Sequence, residues 1–434
     1  MSIQASAVAR IPSDWFGQPR GLTVLFLTEM WDQFSFFGMR ALLVLYMTKH
    51  LLIAQQSASW IYGLYAASVY FTPLFGGLIT DRWLTRRTAV LGGATVMMVG
   101  HFLMAFEGLF YVALATIALG NGLFLPSLAS QIDGLYAGDD PRRRSAYNIY
   151  YVGINLGAFA APIVIGTVGE IFGFHLGFAL AGLGMLVAIA IYTAGRRYLP
   201  ADPPKVLGHG GADGGVTWRG PSGRRIALLV GVACAVVVFR GAYEQLGNTI
   251  SLWTDAHVDR AVGGGLFIPT TWFQSLNPLT VFLFSPVFIA AWTRQAKRGR
   301  EPSSAAKMAL GAAIVGLSFC MMSALAVYAQ VRAGPTPWPW MAAFIVMLTA
   351  GELYILPVGL GLFGRLAPAG LTATTIAIWY SAGFLGNLFA GWLGTLWSPL
   401  GPGVFFALAG LVALLSAALL GGLIPRVRTS ERSV

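Results

Sequence analysis

Long apolar runs, separated by short stretches rich in charge, glycine and proline, repeat along the whole chain. A transmembrane helix needs about 20 mostly apolar residues in succession, and these runs have that length. The pattern predicts helices that begin near residues 22, 58, 88, 110, 146, 174, 224, 268, 305, 340, 370 and 402. We therefore expect an all-α membrane protein with twelve transmembrane helices.

One long polar stretch interrupts the apolar runs near the midpoint of the chain. Residues 200–225 are rich in glycine, as is typical of a flexible linker, and six predicted helices lie on each side of them. Transporters built from two six-helix halves place their substrate site between the halves, near the middle of the membrane. The predicted units are an N-terminal six-helix bundle (1–199), a cytoplasmic linker (200–225) and a C-terminal six-helix bundle (226–434).

The composition agrees with a membrane protein, because 56% of the residues are hydrophobic and only 10% are charged. About a quarter of the residues are charged in soluble proteins, so an ordinary soluble enzyme is excluded. The net charge of +11 would suggest a nucleic-acid partner only if the basic residues formed a patch on a folded surface. Here they are spread between apolar runs, and we expect no nucleic-acid partner.

Lysine and arginine are distributed unequally between alternate connections. The side that holds both termini and the linker collects 23 of the 28 basic residues, whereas Lys49, Arg260 and Arg332 lie on the opposite side. Cytoplasmic connections carry this excess in membrane proteins. Both termini and the linker are therefore predicted to be cytoplasmic, in a multi-pass membrane protein.

Ionisable side chains interrupt the first predicted helix. Glu29, Asp32, Phe36 and Arg40 follow one another at steps of three or four residues, which places them on one helical face. Charged groups inside a membrane are costly unless they face a polar cavity or a partner. We expect this face to point towards the interior of the bundle.

The C-terminal half also carries intramembrane charges. Arg240, Glu244 and Asn248 are spaced four apart in the seventh predicted helix, so an Arg240–Glu244 ion pair can form along one face. Glu352 adds a carboxylate in the tenth. These groups either bind substrate and protons or form structural ion pairs that lock helices together. The excess of acidic over basic groups favours proton binding, because a desolvated carboxylate titrates readily.

Five segments resemble the proton-dependent oligopeptide transporter family of the major facilitator superfamily. They occur in the family's order, on the matching helices, and lie at residues 29–40, 76–82, 147–157, 275–278 and 351–357. The resemblance implies two six-helix halves and a peptide site between them. It places substrate-binding residues at Arg40, Tyr151, Asn155, Asn277, Glu352 and Trp379. It also implies a role in proton coupling for Glu244, to which the first-helix acids Glu29 and Asp32 are added.

Several positions depart from the pattern of the family, among them Asp32, Phe36 and Phe37, and three of the departures change a charge. Gln33 and Leu125 stand where the family usually has an arginine and a lysine, and Arg240 replaces a tryptophan. Two cations are thus missing from the N-terminal half, and one has appeared in the C-terminal half. We expect Arg240 to be the main cation available to a substrate carboxylate, with Arg40 as the alternative.

The predicted function is a symporter that moves small peptides or peptide-like solutes by alternating access, with protons as the driving ion. Its partners would be a di- or tripeptide, protons and the lipid bilayer, and the chain is expected to be a monomer without cofactor or metal. One alternative is an uncoupled carrier or exporter of another small organic anion. A polytopic membrane enzyme or a sensor is disfavoured, because the sequence carries no motif for either.

Overall fold

The computed structural model describes residues 17–137, 140–202, 221–368 and 371–432. The N-terminal half contains α1 (Arg20–Leu45), α2 (Gln55–Arg82), α3 (Arg86–Leu103), α4 (Phe110–Ala129), α5 (Arg142–Phe172) and α6 (Phe174–Gly195). The C-terminal half contains α7 (Pro221–Tyr243), α8 (Thr249–His257), α9 (Trp272–Lys297), α10 (Ser304–Arg332), α11 (Trp338–Leu353), α12 (Leu356–Leu366), α13 (Thr372–Gly394), α14 (Trp397–Leu400) and α15 (Pro402–Arg432). The short strands are β1 (Val258–Asp259), β2 (Ala261–Gly263), β3 (Leu266–Phe267) and β4 (Thr336–Pro337).

These helices match the predicted spans one by one, with two spans divided. The seventh span comprises α7 and α8, and the tenth comprises α11 and α12. In the described part of the chain, ten helical segments are long and apolar enough to cross a membrane. Helices α1 and α3 are not among the ten, and both contain charged side chains, such as Asp32 in α1 and Arg87 in α3.

The two halves share one packing pattern. Helix α1 packs on α5 and α6, as α7 packs on α13 and α15. Likewise α2 packs on α4 and α3 on α6, while α9 packs on α11 and α10 on α15. The halves meet where α2 contacts α13 and where α5 contacts α9. This repeat of contacts at an offset of six spans is the arrangement expected for a two-half transporter.

The side on which α6 ends and α7 begins is called here the linker side, and the opposite side is the far side. Helix α7 begins at Pro221, so the last five residues of the predicted linker are helical instead. Proline suits the first turn of a helix because its missing N–H has no acceptor there. Residues 203–220 of that linker lie outside the described residues.

Side-chain caps start two helices on the linker side. Thr85 accepts a hydrogen bond from the backbone N–H of Thr88 at the start of α3, and Ser303 does the same for Ala306 in α10. Such caps satisfy N–H groups that have no partner within the helix. They mark the points at which the chain turns back into the bundle.

The far-side connection between α8 and α9 is a small hairpin that the hydropathy pattern did not predict. Strands β2 and β3 pair in antiparallel fashion. The turn between them contains Gly263, Gly264 and Gly265, which all have positive φ. Glycine adopts this conformation without steric cost, so the turn can be tight. The hairpin brings Arg260 back towards the end of α5, where it lies 3.6 Å from Glu170.

Candidate functional site

A polar cavity of about 190 Å³ lies between the two halves. Helices of both halves contribute to its wall. The polar side chains that line it are Arg40, Tyr70, Tyr151, Asn155, Arg240, Tyr243, Glu244, Gln274, Asn277 and Glu352. The structure thus brings together six of the seven predicted substrate-binding residues and Glu244, for which a role in proton coupling is predicted.

Glu244 bridges two arginines at the wall of the cavity. Its Oε2 accepts a hydrogen bond of 2.6 Å from Nη2 of Arg40, and its Oε1 accepts one of 2.7 Å from Nη1 of Arg240. The Arg240–Glu244 pair predicted from their spacing is therefore present. The contact with Arg40 was not predicted, and it joins the first helix of one half to the seventh span of the other.

Two tyrosines of α2 hold the guanidinium groups in place. Nε of Arg40 donates to the Tyr62 hydroxyl at 2.7 Å, and Nη1 of Arg240 donates to the Tyr70 hydroxyl at 3.2 Å. Each guanidinium also lies over the ring of its tyrosine, at 5.5 Å for Arg40 and 4.9 Å for Arg240. Two cations and one carboxylate leave this wall with an excess positive charge when Glu244 is ionised.

The chain breaks its α-helix at Glu244. Helix α7 ends at Tyr243, a 3₁₀ turn follows over Glu244–Gly247, and Asn248 has φ −114° and ψ −100°. Gly247 is required here because a Cβ would collide with the Tyr62 hydroxyl. Because the helix breaks at Glu244, Asn248 does not continue the face of Arg240 and Glu244 that their spacing suggests. Asn248 instead accepts a hydrogen bond of 2.9 Å from Ser59 of α2.

Glu352 and Asn277 form a second polar group in the cavity. Nδ2 of Asn277 donates to Oε2 of Glu352 at 2.7 Å and to the Thr349 hydroxyl at 3.0 Å. Tyr243 lines the same cavity as this carboxylate. Glu352 lies in the last turn of α11. The span then breaks, and α12 begins with Pro357 in its first turn. The cavity therefore presents a second carboxylate, besides the one that the two arginines share.

Helix α5 contributes Tyr151 and Asn155 to the cavity. Nδ2 of Asn155 donates to the backbone oxygen of Tyr151 at 2.9 Å, which fixes the amide one turn above the ring. The Tyr151 side chain is 51% exposed and so is open to a ligand. Tyr147, one turn earlier in α5, lies towards the linker side and donates to Asp133 at 2.7 Å.

Glu29 and Asp32 do not line the cavity. Both are residues of α1 with buried side chains, and α1 packs closely on α5 there because Gly153 and Gly157 of α5 carry no side chain. Tyr150 donates to Glu29 at 2.5 Å, and Gln33 donates to Glu29 at 3.0 Å and to Asp32 at 3.1 Å. These partners are neutral.

Trp379 also lies outside the cavity, contrary to the implied role in substrate binding. Its side chain is only 8% exposed, and its ring contacts Phe363 at a centroid distance of 5.1 Å. A Cβ on Gly359 would collide with the ring, so this glycine makes room for it. The close approach draws Trp379 into the core of the C-terminal half.

On the far side, polar contacts join the two halves. Lys49, in the turn that follows α1, pairs with Asp255 of α8 at 2.7 Å. Glu170 of α5 accepts hydrogen bonds of 2.8 Å from the backbone N–H groups of Thr270 and Thr271. Within the described residues, further contacts between the halves lie on this side or beside the cavity, such as those from Gln55 to the Gly394 oxygen and from Gln274 to the Ala41 oxygen. These contacts close the cavity towards the far side, so that it faces the linker side.

Tyr62, Tyr70, Tyr243 and Gln274 belong to the site but were not predicted. Tyr62 and Tyr70 are eight residues apart and hence on one face of α2, which is a signal that the sequence does contain. Tyr243 immediately precedes Glu244 and would have required knowledge of the helix break. Gln274 donates to the Ser251 hydroxyl at 3.0 Å, and the sequence gives no sign of this contact between α9 and α8.

The sequence profile of the POT family matches residues 87–206 and 221–400 of this chain. The chain is 33% identical to the peptide transporter YePEPT of Yersinia enterocolitica, covering 88% of each chain. It is 30% identical to the di-/tripeptide transporter of Lactococcus lactis subsp. cremoris, over 92% of this chain and 94% of that protein.

A solved structure is similar along almost the whole chain. The crystal structure of a peptide transporter POT in complex with sulfate has a TM-score of 0.88 and 28% identity, and covers 97% of this chain and 98% of that one. The predicted fold class, an all-α membrane protein of the major facilitator type, is thereby confirmed, as is the resemblance noted in the sequence. The chain belongs to the POT family, the proton-dependent oligopeptide transporters, and is a membrane transporter rather than an enzyme.

Proposed function

We propose that the protein is a proton-coupled symporter that moves small peptides or peptide-like solutes inward across a bacterial inner membrane by alternating access. Two relatives that the chain resembles over most of its length are peptide transporters. The cavity between the halves has opposite charges on different parts of its wall. Such an arrangement suits a zwitterionic solute.

The observation that carries the proposal is the bridge from Arg40 through Glu244 to Arg240. The carboxylate holds a guanidinium from each half of the molecule, at 2.6 and 2.7 Å. Each charge-assisted hydrogen bond contributes about 1.5–3 kcal/mol in proteins, so protonation of Glu244 would weaken both contacts together. Binding of one proton would thus loosen a connection between the halves and free the arginines for a substrate carboxylate.

The remaining residues fit complementary roles. Arg240, with Arg40 beside it, would hold the carboxyl end of the solute, because a guanidinium binds a carboxylate in bidentate fashion. Glu352, oriented by Asn277, would accept the protonated amino group. Tyr151 and Asn155 would contact the body of the peptide from the N-terminal half.

Glu29 and Asp32 would form a second protonation site behind the cavity. Asp32 Oδ1 is buried and has no hydrogen-bond partner in the described structure. Burying two ionised carboxylates beside neutral partners is very costly, and retention of a proton by one of them removes most of that cost. The pair would therefore hold one proton between them, next to the Gln33 and Tyr150 side chains.

The orientation follows from the distribution of charge. With 23 of the 28 basic residues on the linker side, that side would face the cytoplasm, and the structure would be an inward-facing state of a monomeric carrier. The far-side contacts, such as Lys49 with Asp255, would then close the path to the periplasm.

Transport by the purified protein in liposomes tests the proposal. Labelled dialanine should accumulate above its external concentration when the outside is acidic, and a protonophore should abolish the accumulation. Liposomes without protein give the background. Equilibration without accumulation would indicate an uncoupled carrier, and failure of all tested peptides to compete with a transported organic anion would contradict a peptide substrate.

A further inference from the structure

Three potential metal ligands converge at the far-side end of the N-terminal half. His50 ends the last turn of the first span, Glu107 lies in the connection between α3 and α4, and His175 lies in the first turn of α6. One ligand atom from each residue lies within 4.8 Å of those of the other two. These residues are remote from the transport cavity, and nothing in the transport cycle proposed above uses them.

The geometry is close to that of a metal tripod. Nε2 of His50 and Oε1 of Glu107 are 2.8 Å apart, and the rings of His50 and His175 meet edge to face at 4.9 Å. Ligands bound to zinc at 2.0–2.2 Å in a tetrahedron lie about 3.4 Å from one another. The His50–Glu107 separation is shorter than this, and no two of the ligand atoms are more than 4.8 Å apart, so small side-chain movements would complete the site.

The surroundings favour ligand binding. The last turn of the first span widens into a π-helix over Tyr46–His50, a conformation that is frequent at functional sites. Tyr46 stacks on His50 with an interplanar angle of 17°, and its hydroxyl lies 3.4 Å from Nε2 of His175. One residue therefore packs against one imidazole and contacts the other, so the two rings are held in place before an ion arrives.

We propose that His50, Glu107 and His175 bind a divalent transition-metal ion, with Zn²⁺ as the best match. Two imidazoles and one carboxylate are a ligand set that zinc adopts with a water molecule in the fourth position. His50 and Glu107 are exposed, so the ion can enter directly from solvent and retain that water. Sequence reasoning expected no metal site, because the three ligands are too far apart along the chain to form a motif.

The ion would tie three connections of the N-terminal half together. It would link the end of α1 to the start of α6 and to the connection between α3 and α4. Lys49, the neighbour of His50, pairs with Asp255 of the other half. A bound ion would therefore hold in place the segment that carries Lys49, whose pair with Asp255 is one of the contacts that close the far side.

Titration calorimetry of the full-length protein without a polyhistidine tag tests the proposal. ZnCl₂ should bind with one ion per chain, and MgCl₂ should give no signal. His50→Gln, Glu107→Gln and His175→Gln should each weaken zinc binding at least tenfold. His257→Gln is the matched control, because this exposed far-side histidine lies in the other half and should leave binding unchanged.

A second readout is independent of protein stability. Co²⁺ bound to the tripod should show the visible absorption of a low-coordinate cobalt site, and Glu107→Gln, which alters an exposed side chain, should abolish it in a protein that still elutes as a folded species. The proposal is wrong if the wild type binds no zinc or if the three variants bind it as tightly as the wild type. Loss of binding in His209→Gln instead would place the ion on the linker and also overturn it.

Discussion

At the scale of single residues, the site is governed by an imbalance of charge around Glu244. One carboxylate is shared by two guanidinium groups, and the side chains of Arg240 and Glu244 are only 7% and 5% exposed. Buried charges need partners, and here two guanidinium groups share the single carboxylate of Glu244. A ligand that brings its own carboxylate would restore the balance, which gives the wall a preference for acids.

This preference makes Arg240→Lys informative. A lysine keeps the positive charge but cannot bind a carboxylate through two parallel hydrogen bonds. We expect the variant to weaken binding of a dipeptide by about 1.5–3 kcal/mol, the range for a hydrogen bond to a charged group. The affinity of the purified protein for the ligand measures this loss.

The comparison that separates binding from structure uses the same dipeptide as its carboxyl-terminal amide. Direct contact with Arg240 makes the loss large for the acid and small for the amide. Equal losses for acid and amide would mean that Arg240 serves only to hold Glu244, and a lowered melting temperature of the variant would accompany that result.

The residues of the site were predictable to different degrees. The Arg240–Glu244 pair follows from a spacing of four, because helix geometry alone places such residues together. The Arg40–Glu244 contact joins positions 204 residues apart, and no periodicity in the sequence reports on it. Trp379 lies outside the cavity because its position depends on Gly359, on a neighbouring helix, which leaves space for the ring.

At the scale of helices, two spans that are continuous in hydropathy are broken in the structure. The breaks follow Tyr243 in the seventh span and Leu353 in the tenth, and each places a carboxylate at the cavity. The hydropathy of a segment depends on composition and does not register a change of backbone conformation. Helix positions were therefore predictable from the sequence, whereas the breaks that shape the site were not.

The crossing of α2 and α13 provides a test at this scale. Gly63 packs against the backbone of Gly391. The methyl group of Gly63→Ala would collide with that backbone, which cannot move aside as a flexible side chain could. Overpacking of this kind costs about 1–3 kcal/mol. We expect Gly63→Ala to open the far side, because the two helices seal it there.

Distances between spin labels measure this opening. Labels at Leu52 and Ala256, which are exposed on the far side of the two halves, should move apart in Gly63→Ala in a background where Cys234 and Cys320 are replaced. Gly77→Ala on the same helix is the control, because its Cβ would meet open space. An unchanged distance distribution in Gly63→Ala would show that this crossing does not hold the far side closed.

At the scale of the whole molecule, orientation in the membrane follows from where the basic residues lie. The excess of basic residues on the linker side predicts that this side faces the cytoplasm. Single cysteines at Gly211 and Val262 should therefore react differently with an impermeant thiol reagent in sealed cells. Val262 is 54% exposed in the far-side hairpin and should be labelled, whereas Gly211, in the linker outside the described residues, should be protected.

Labelling after permeabilisation is the control, because both cysteines should then react. Reaction of the Gly211 cysteine in intact cells would reverse the orientation. That result would also reverse the proposed direction of transport, because the cavity of this structure would then open to the outside of the cell.

The central claim is that a proton on Glu244 controls the connection between the two halves. Glutamine has the same size as a protonated glutamate, is uncharged and cannot be titrated, so Glu244→Gln removes the step in which Glu244 takes up or releases a proton. In liposomes, this variant should lose accumulation of dialanine driven by an acidic exterior, while exchange of labelled for unlabelled dialanine across the membrane stays measurable. Accumulation at the level of the wild type would contradict the account.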